Sequence, residues 1–202
     1  MKVASSAALG TLTVTVKDLN DDPVLQLVVA LASSLQLTLK QPKKGALSLE
    51  LPSGTILSQR NAILRCLAGM GLHNALDDAL SGGHSKAAKA SPAHAMALAS
   101  LSSWMSVADH YRKSKAESIE ELLGQLEDHL KTRAFLIPSA VPTLADVDVA
   151  SVVVAKTSSF LSLDNMIKGY PNTHRWMVTV GALLKKHGID AIASTPGGSE
   201  WG

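Results

Sequence analysis

One cysteine, Cys66, among 202 residues excludes an intramolecular disulfide and any cysteine-cluster metal site. A reducing cytoplasm is the expected compartment. Aromatic residues make up only 3% of the chain, so the core must be built from Leu, Val and Ala rather than rings. No apolar run approaches the roughly 20 residues of a membrane-spanning helix. The N-terminus carries Lys2 and small residues and then alternating Thr and Val. Without a long apolar stretch there, a signal peptide is not expected. An excess of one charge is also lacking. The formal net charge of +2 is too small to make nucleic acid an obligate partner.

Several site chemistries are missing as well. His73, His84, His94, His110, His129, His174 and His187 show no metal-ligand spacing with a second ligand. They read as surface or helix-end residues. No Gly-rich phosphate loop follows a strand, and Gly82-Gly83 reads as linker. No metal or cofactor is expected. Three basic clusters, Lys40/Lys43/Lys44, Arg112/Lys113/Lys115 and Lys185/Lys186, lie on different elements and read as solvated surface.

What is present is apolar material, 46% of residues, enough for one domain or two small ones packed together. Leu12 to Val16 alternates like a half-buried strand. Asp22-Pro23 then gives an N-cap followed by Pro at the first helical position, with Val24, Val28, Leu31 and Leu35 on one face. Gln36 to Lys40 predicts a second strand, and Pro42 to Gly45 a turn. Ala46 to Leu51 and Thr55 to Leu57 predict a hairpin closed by Pro52-Ser-Gly54. Ser58 can cap a helix carrying Ile63, Cys66, Leu67 and Met70 on its apolar face, where Cys66 reads as a small buried hydrophobe. The order is β-α-β-β-β-α over residues 1–80.

Residues 81–92 are Gly-, Ser- and Lys-rich and read as a linker. Residues 93–190 read as all-helical, and 191–202 as a polar, flexible tail. Ala97, Leu101, Trp104, Ala108 and Tyr111 share a face of the first of these helices. Ser118 and Glu121 form a capping box for the second. Thr143 and Asp146 form another, opening a helix whose valines (Val147, Val149, Val152, Val153, Val154) leave it apolar on every side, as in a buried helix. A short helix is expected around Phe160 to Lys168, and a last one from about Asn172 to His187, ended by Gly188.

A small βαβββα unit, a linker and a helical unit around a capped, buried helix resemble the glutathione-transferase fold. Gln59 to Leu67 resembles that family's strand-to-helix segment, and Phe135-Leu followed by Thr143-Leu-Ala-Asp146 its capping-box segment. Tyr170-Pro-Asn-Thr-His-Arg-Trp176 is similar to the opening of the last core helix in the branch attached to the translation machinery. That branch includes multisynthetase-complex auxiliary factors and tRNA-import proteins, domains appended to aminoacyl-tRNA synthetases, and the elongation factor gamma subunit. The resemblance implies an α/β thioredoxin-like subdomain followed by an all-α one.

It also implies what an active transferase would need: a hydroxyl or thiol after the first strand, a cis-Pro before a strand, and a Ser opening the next helix. Here the first region holds Thr15, Lys17 and Asp18, with Thr15 read as facing solvent. The second holds Gly45-Ala46 before Leu47, where a trans bond is expected. The third holds Arg60, still able to attract a carboxylate. The reading is therefore a non-enzyme that scaffolds aminoacyl-tRNA synthetase assemblies. A true or residual glutathione transferase and an elongation-factor gamma-subunit domain are the alternatives. The resemblance implies partner contacts through Arg175, with Asn172 and His174 beside it, to synthetases or other transferase-like domains, as a homo- or heterodimer. tRNA would enter through additional domains. Arg175 could instead close an internal salt bridge to Asp146 or Asp148, Asn172 could simply cap its helix, and Trp176 reads as core with Val180, Leu183 and Leu184.

Overall fold

The computed structural model describes residues 10–32, 37–40, 45–71, 92–114, 119–139, 141–157 and 168–189. The chain divides into two compact units, Met1–Asp77 and Asp78–Gly202. The linker up to residue 91, Ser118, most of the short helix expected around Phe160 and the tail from 191 lie outside the described residues. Pro92, at the end of the linker, opens the first of the expected helices.

The first unit runs β1 (Gly10–Thr13), α1 (Val16–Asp21), α2 (Pro23–Ala32), β2 (Leu37–Lys40), β3 (Ser48–Glu50), β4 (Ile56–Leu57) and α3 (Arg60–Gly71). The strands form one mixed sheet in the order β2-β1-β3-β4. β1 is parallel to β2 and antiparallel to β3, which pairs antiparallel with β4. Register sets Leu12 of β1 opposite Leu49 of β3, and both are buried. Gly10 could carry no side chain there: its φ is +146°, and a Cβ would lie 2.5 Å from the Glu50 carbonyl oxygen.

The strand expected over Leu12 to Val16 stops at Thr13. Thr15 instead caps the short α1, its hydroxyl oxygen accepting from the Asp18 N–H at 3.0 Å. A Thr-x-x-Asp cap offers the backbone an alternative to the ladder, and here it prevails over the last three residues of the alternation. Asp22 caps α2, accepting from the Val24 and Leu25 N–H groups at 3.1 Å each. Val24, Leu25, Leu27 and Val28 are buried beneath it. The β3–β4 hairpin closes through Gly54 N–H to Leu51 O at 2.9 Å, with Gly54 at φ +82°. The first helical bond of α3 is accepted by the Gln59 carbonyl, so the cap position is Gln59, one residue later than Ser58. Cys66 is half-buried rather than core.

The second unit holds α4 (Pro92–Lys113), α5 (Ile119–Leu130), α6 (Leu144–Thr157) and α7 (Pro171–Lys186). α6 packs against the other three. Residues 144–150 are buried without exception. Burial on every side does not last to the end of α6, because Val154 is half-buried and Ala155 exposed. There the helix reaches the surface and Lys156 donates to the Ser114 carbonyl. α4 buries Leu101, Met105, Ala108 and Tyr111, and α5 buries Ile119, Leu122, Leu123, Leu126 and Leu130. α7 ends as expected. Gly188, at φ +73°, donates to the Lys185 carbonyl and Ile189 to that of Leu184, both at 3.0 Å. This pair of bonds is a Schellman closure with its usual apolar contact, Leu184 and Ile189 both being buried.

Candidate interaction site at the start of the last helix

Thr143 precedes the first residue of α6, which puts Asp146 at the third helical position. The Asp146 carboxylate accepts from the Thr143 N–H at 2.7 Å, the reach-back half of a capping box. The reciprocal half is replaced: the Thr143 hydroxyl donates to the same oxygen at 2.7 Å. The other oxygen of Asp146 accepts from the Leu136 N–H at 2.9 Å and the Trp176 indole N–H at 2.8 Å. Asp146 thus ties the start of α6 to the loop before it and to α7, with all of its surface buried. Trp176, Val180 and Leu184 are core, while Leu183 is half-buried.

Asn172 does not cap α7. The cap comes from α5, where Glu127 accepts from the Asn172 N–H at 3.2 Å and the Thr173 N–H at 3.0 Å, and from both side chains. Burial pushes the Glu127 carboxyl up, but the backbone and side-chain donors of Thr173 and Asn172 outweigh it and hold the carboxyl below its ordinary value. Its contribution to stability is therefore complete above the ordinary glutamate value of about 4.3 and is lost as pH falls through the depressed one. Glu127→Gln should melt below wild type near neutral pH, and the two should converge as wild type titrates in acid. Melting curves that stay apart down to the acid transition would show that Glu127 does not act through its charge.

Arg175 makes neither salt bridge expected of it. Asp146 is filled by its four donors, and Asp148 is taken by Arg112 at 2.6 Å. Arg112 also pairs with Asp109, so it belongs to a partly buried ion network rather than to solvated surface. The Arg175 guanidinium instead donates through one nitrogen to the Leu130 carbonyl at 3.0 Å and the Arg133 carbonyl at 3.5 Å. It satisfies the end of α5 while its side chain remains at the surface. His174 is half-buried beside it, and its imidazole makes no hydrogen bond among the described residues.

Lys131, Thr132, Arg133, Ala134 and Phe135 join Arg175, Trp176 and Thr179 around a cleft of about 440 Å³. His129 anchors this turn. It bonds the Leu136 carbonyl at 3.0 Å, meets the Arg133 guanidinium at 3.2 Å, and lies edge-on to Trp104 at 5.0 Å. Because guanidinium only donates, Nδ1 must be the acceptor and Nε2 the N–H donor. Burial, aided by the Arg133 charge, pushes the imidazole pKa down against the Leu136 carbonyl and Asp146. His129 is therefore a helix-end residue, as expected, and a positioned structural one. Sequence reasoning missed both Glu127 and His129, since their partners lie 45 and 7 residues away and no local pattern marks them.

In the first unit, the positions that would serve glutathione are otherwise used. Thr15 caps α1. The peptide bonds among the described residues, those at Gly45-Ala46-Leu47 included, are trans. The Arg60 guanidinium does attract a carboxylate, that of Asp22, with nitrogen–oxygen distances of 2.6 and 2.9 Å. Burial pushes the Cys66 thiol up, away from thiolate chemistry. Among the described residues no group of three His, Cys, Asp or Glu could hold a metal ion, and no helix is long and apolar enough to cross a membrane.

No family model matches the chain. Over 74 residues it is 36% identical to elongation factor 1-gamma of Sus scrofa, a stretch covering 35% of this chain and 17% of that protein. The human elongation factor 1-gamma matches over the same length at 35% identity. The chain thus spans only a small fraction of the curated relatives it matches. The GST-like domain of elongation factor 1-gamma from Saccharomyces cerevisiae superposes with a TM-score of 0.63 at 19% identity, covering 94% of this chain and 100% of that one. A rice glutathione transferase in complex with glutathione gives 0.57 at 14% identity, covering 94% and 91%. The fold is therefore glutathione-transferase-like, a thioredoxin-like unit followed by a helical one.

Proposed function

We propose that this chain is a non-catalytic, transferase-like interaction domain of the translation apparatus, acting in the cytoplasm by assembling with other transferase-like domains. The observation that carries the non-catalytic half is the Arg60–Asp22 pair. Where a transferase would present a Ser hydroxyl to the γ-glutamyl carboxylate, this chain presents an arginine whose fork is already filled from within. The translation half is supported by the 36% identity to elongation factor 1-gamma. That match favours the elongation-factor gamma-like alternative over the aminoacyl-tRNA synthetase scaffold expected first. Arg175, flanked by Asn172 and His174, is the proposed partner-binding residue, because its side chain is exposed and bonds its two carbonyl acceptors through one nitrogen, leaving the rest of the fork for a partner.

Glutathione tests the first half. Ligand that binds only the folded state raises stability by RT ln(1 + [L]/Kd). Millimolar glutathione should leave the melting temperature unchanged, and no conjugation of a chloronitrobenzene should be measurable. A clear upward shift, or turnover, would overturn the non-enzyme reading in favour of a glutathione transferase.

A further inference from the structure

The chain carries 19 Lys and Arg against 17 Asp and Glu, so a face with cations and almost no acid is a local segregation. Such a face surrounds the cleft described above. α7 and the turn 131–135 contain no acidic residue. On α7, Arg175, Thr179, Ala182 and Lys186 recur at helical spacing, with Val178 and Lys185 beside them, and all six are exposed. Arg175 and Thr179 line the same cleft as Lys131, Thr132 and Arg133, so the turn continues the stripe. The acids around it are all engaged: Asp128 is held by Lys131 at 2.6 Å, Glu127 by the start of α7, and Asp146 is fully buried beneath the cleft, bonded to Trp176.

We propose that this face is a sequence-independent contact for the phosphodiester backbone of RNA, formed by Lys131, Arg133, Arg175, Lys185 and Lys186. Eleven residues at 1.5 Å rise separate Arg175 from Lys186 by about 16 Å, a length over which a nucleic-acid strand presents several phosphates. The exposed hydroxyl of Thr132 suits a phosphate oxygen, while that of Thr179 donates to the Arg175 carbonyl at 3.1 Å. The aromatic residues of the cleft are withdrawn, Trp176 being 1% and Phe135 8% exposed. Bases therefore have no stacking platform, and the contact reads backbone only. Along the stripe beyond Arg175, Val178 is the one exposed large hydrophobic residue, so Lys185 and Lys186 lack the buried apolar or aromatic anchor on which protein contacts centre.

Choosing RNA over DNA rests on the translation reading, and the test separates the two claims. Binding of fluorescent total tRNA to the whole chain should show a Kd on the order of 10⁻⁵ M near physiological salt, and log K should fall against log salt with a slope of about −4 for five neutralised phosphates. The paired variants Lys185→Gln/Lys186→Gln and Lys131→Gln/Arg133→Gln should each reduce that slope by about 2 at unchanged melting temperature. Lys113→Gln, an exposed cation of α4, should not change it. Absence of tRNA binding at low salt, or a slope indifferent to both pairs, would overturn the inference. So would polyglutamate binding more tightly than tRNA, which would indicate an acidic protein instead, or duplex DNA binding tenfold tighter. If tRNA fails while assembly with a transferase-like domain persists, this inference falls alone and the proposed function stands.

Discussion

Asp146→Ala should lose about 3–5 kcal/mol of stability, because several buried donors lose their charged acceptor at once, and lower the melting temperature by roughly 10 °C. The reason is the number of donors left behind. The Leu136 and Thr143 N–H groups and the Trp176 indole N–H all end on this carboxylate. A buried donor stripped of its acceptor costs about 1–3 kcal/mol, and the losses share one cavity, so they do not add in full. Asp146→Asn keeps the shape but turns an NH₂ toward N–H donors, and should fall much nearer to Ala than to wild type. Asp128→Ala is the control, since its pair with Lys131 is well exposed on both sides and such pairs contribute little. If Asp146→Ala and Asp128→Ala melted alike, the carboxylate would not be the junction of loop, α6 and α7.

That junction was only half legible in the sequence. Thr143 and Asp146 are three residues apart, and a capping box is a local pattern. The other oxygen of the same carboxylate serves Leu136 and Trp176, 10 and 30 residues away, and no periodicity announces such a pair. The same limit explains where the alternatives failed. Charge alone offered Asp146 or Asp148 as an internal partner for Arg175, yet both are occupied by groups brought in by tertiary packing. Asn172 looked like a cap by residue type, but an acid on a neighbouring helix reaches two N–H groups at once. The end of β1 was misplaced because alternation and a Thr-x-x-Asp cap overlap there, and only packing decides between them. Resemblance supplied the meaning of position 60, but not that Asp22 would both cap α2 and close the Arg60 fork. Apart from the short α1, which was not expected, the order of the described elements followed from periodicity, caps and turn glycines, all of which are local.

Arg175→Ala should weaken self-association, or capture of a purified transferase-like domain, at least tenfold, while costing folding only about 1 kcal/mol. The two effects have different sources. Within the chain Arg175 supplies a part-buried hydrogen bond to the Leu130 carbonyl at the end of α5, and a typical intramolecular bond contributes about 0.5–1.5 kcal/mol net. Across a contact, its remaining nitrogens can meet a carboxylate or carbonyls in the planar fork geometry that makes arginine a frequent hot spot, with losses of about 2 kcal/mol or more on truncation. Arg175→Lys separates them further. A lysine keeps the charge and can still reach one carbonyl, so stability should largely return, but the fork is gone and association should stay weak. Light scattering after size exclusion, with thermal melts of the same samples, reads both. Melting that drops by many degrees while association is unchanged would make Arg175 purely a cap for α5. A wild-type chain that stays monomeric and captures no transferase-like domain would remove the basis for an interaction role at this helix.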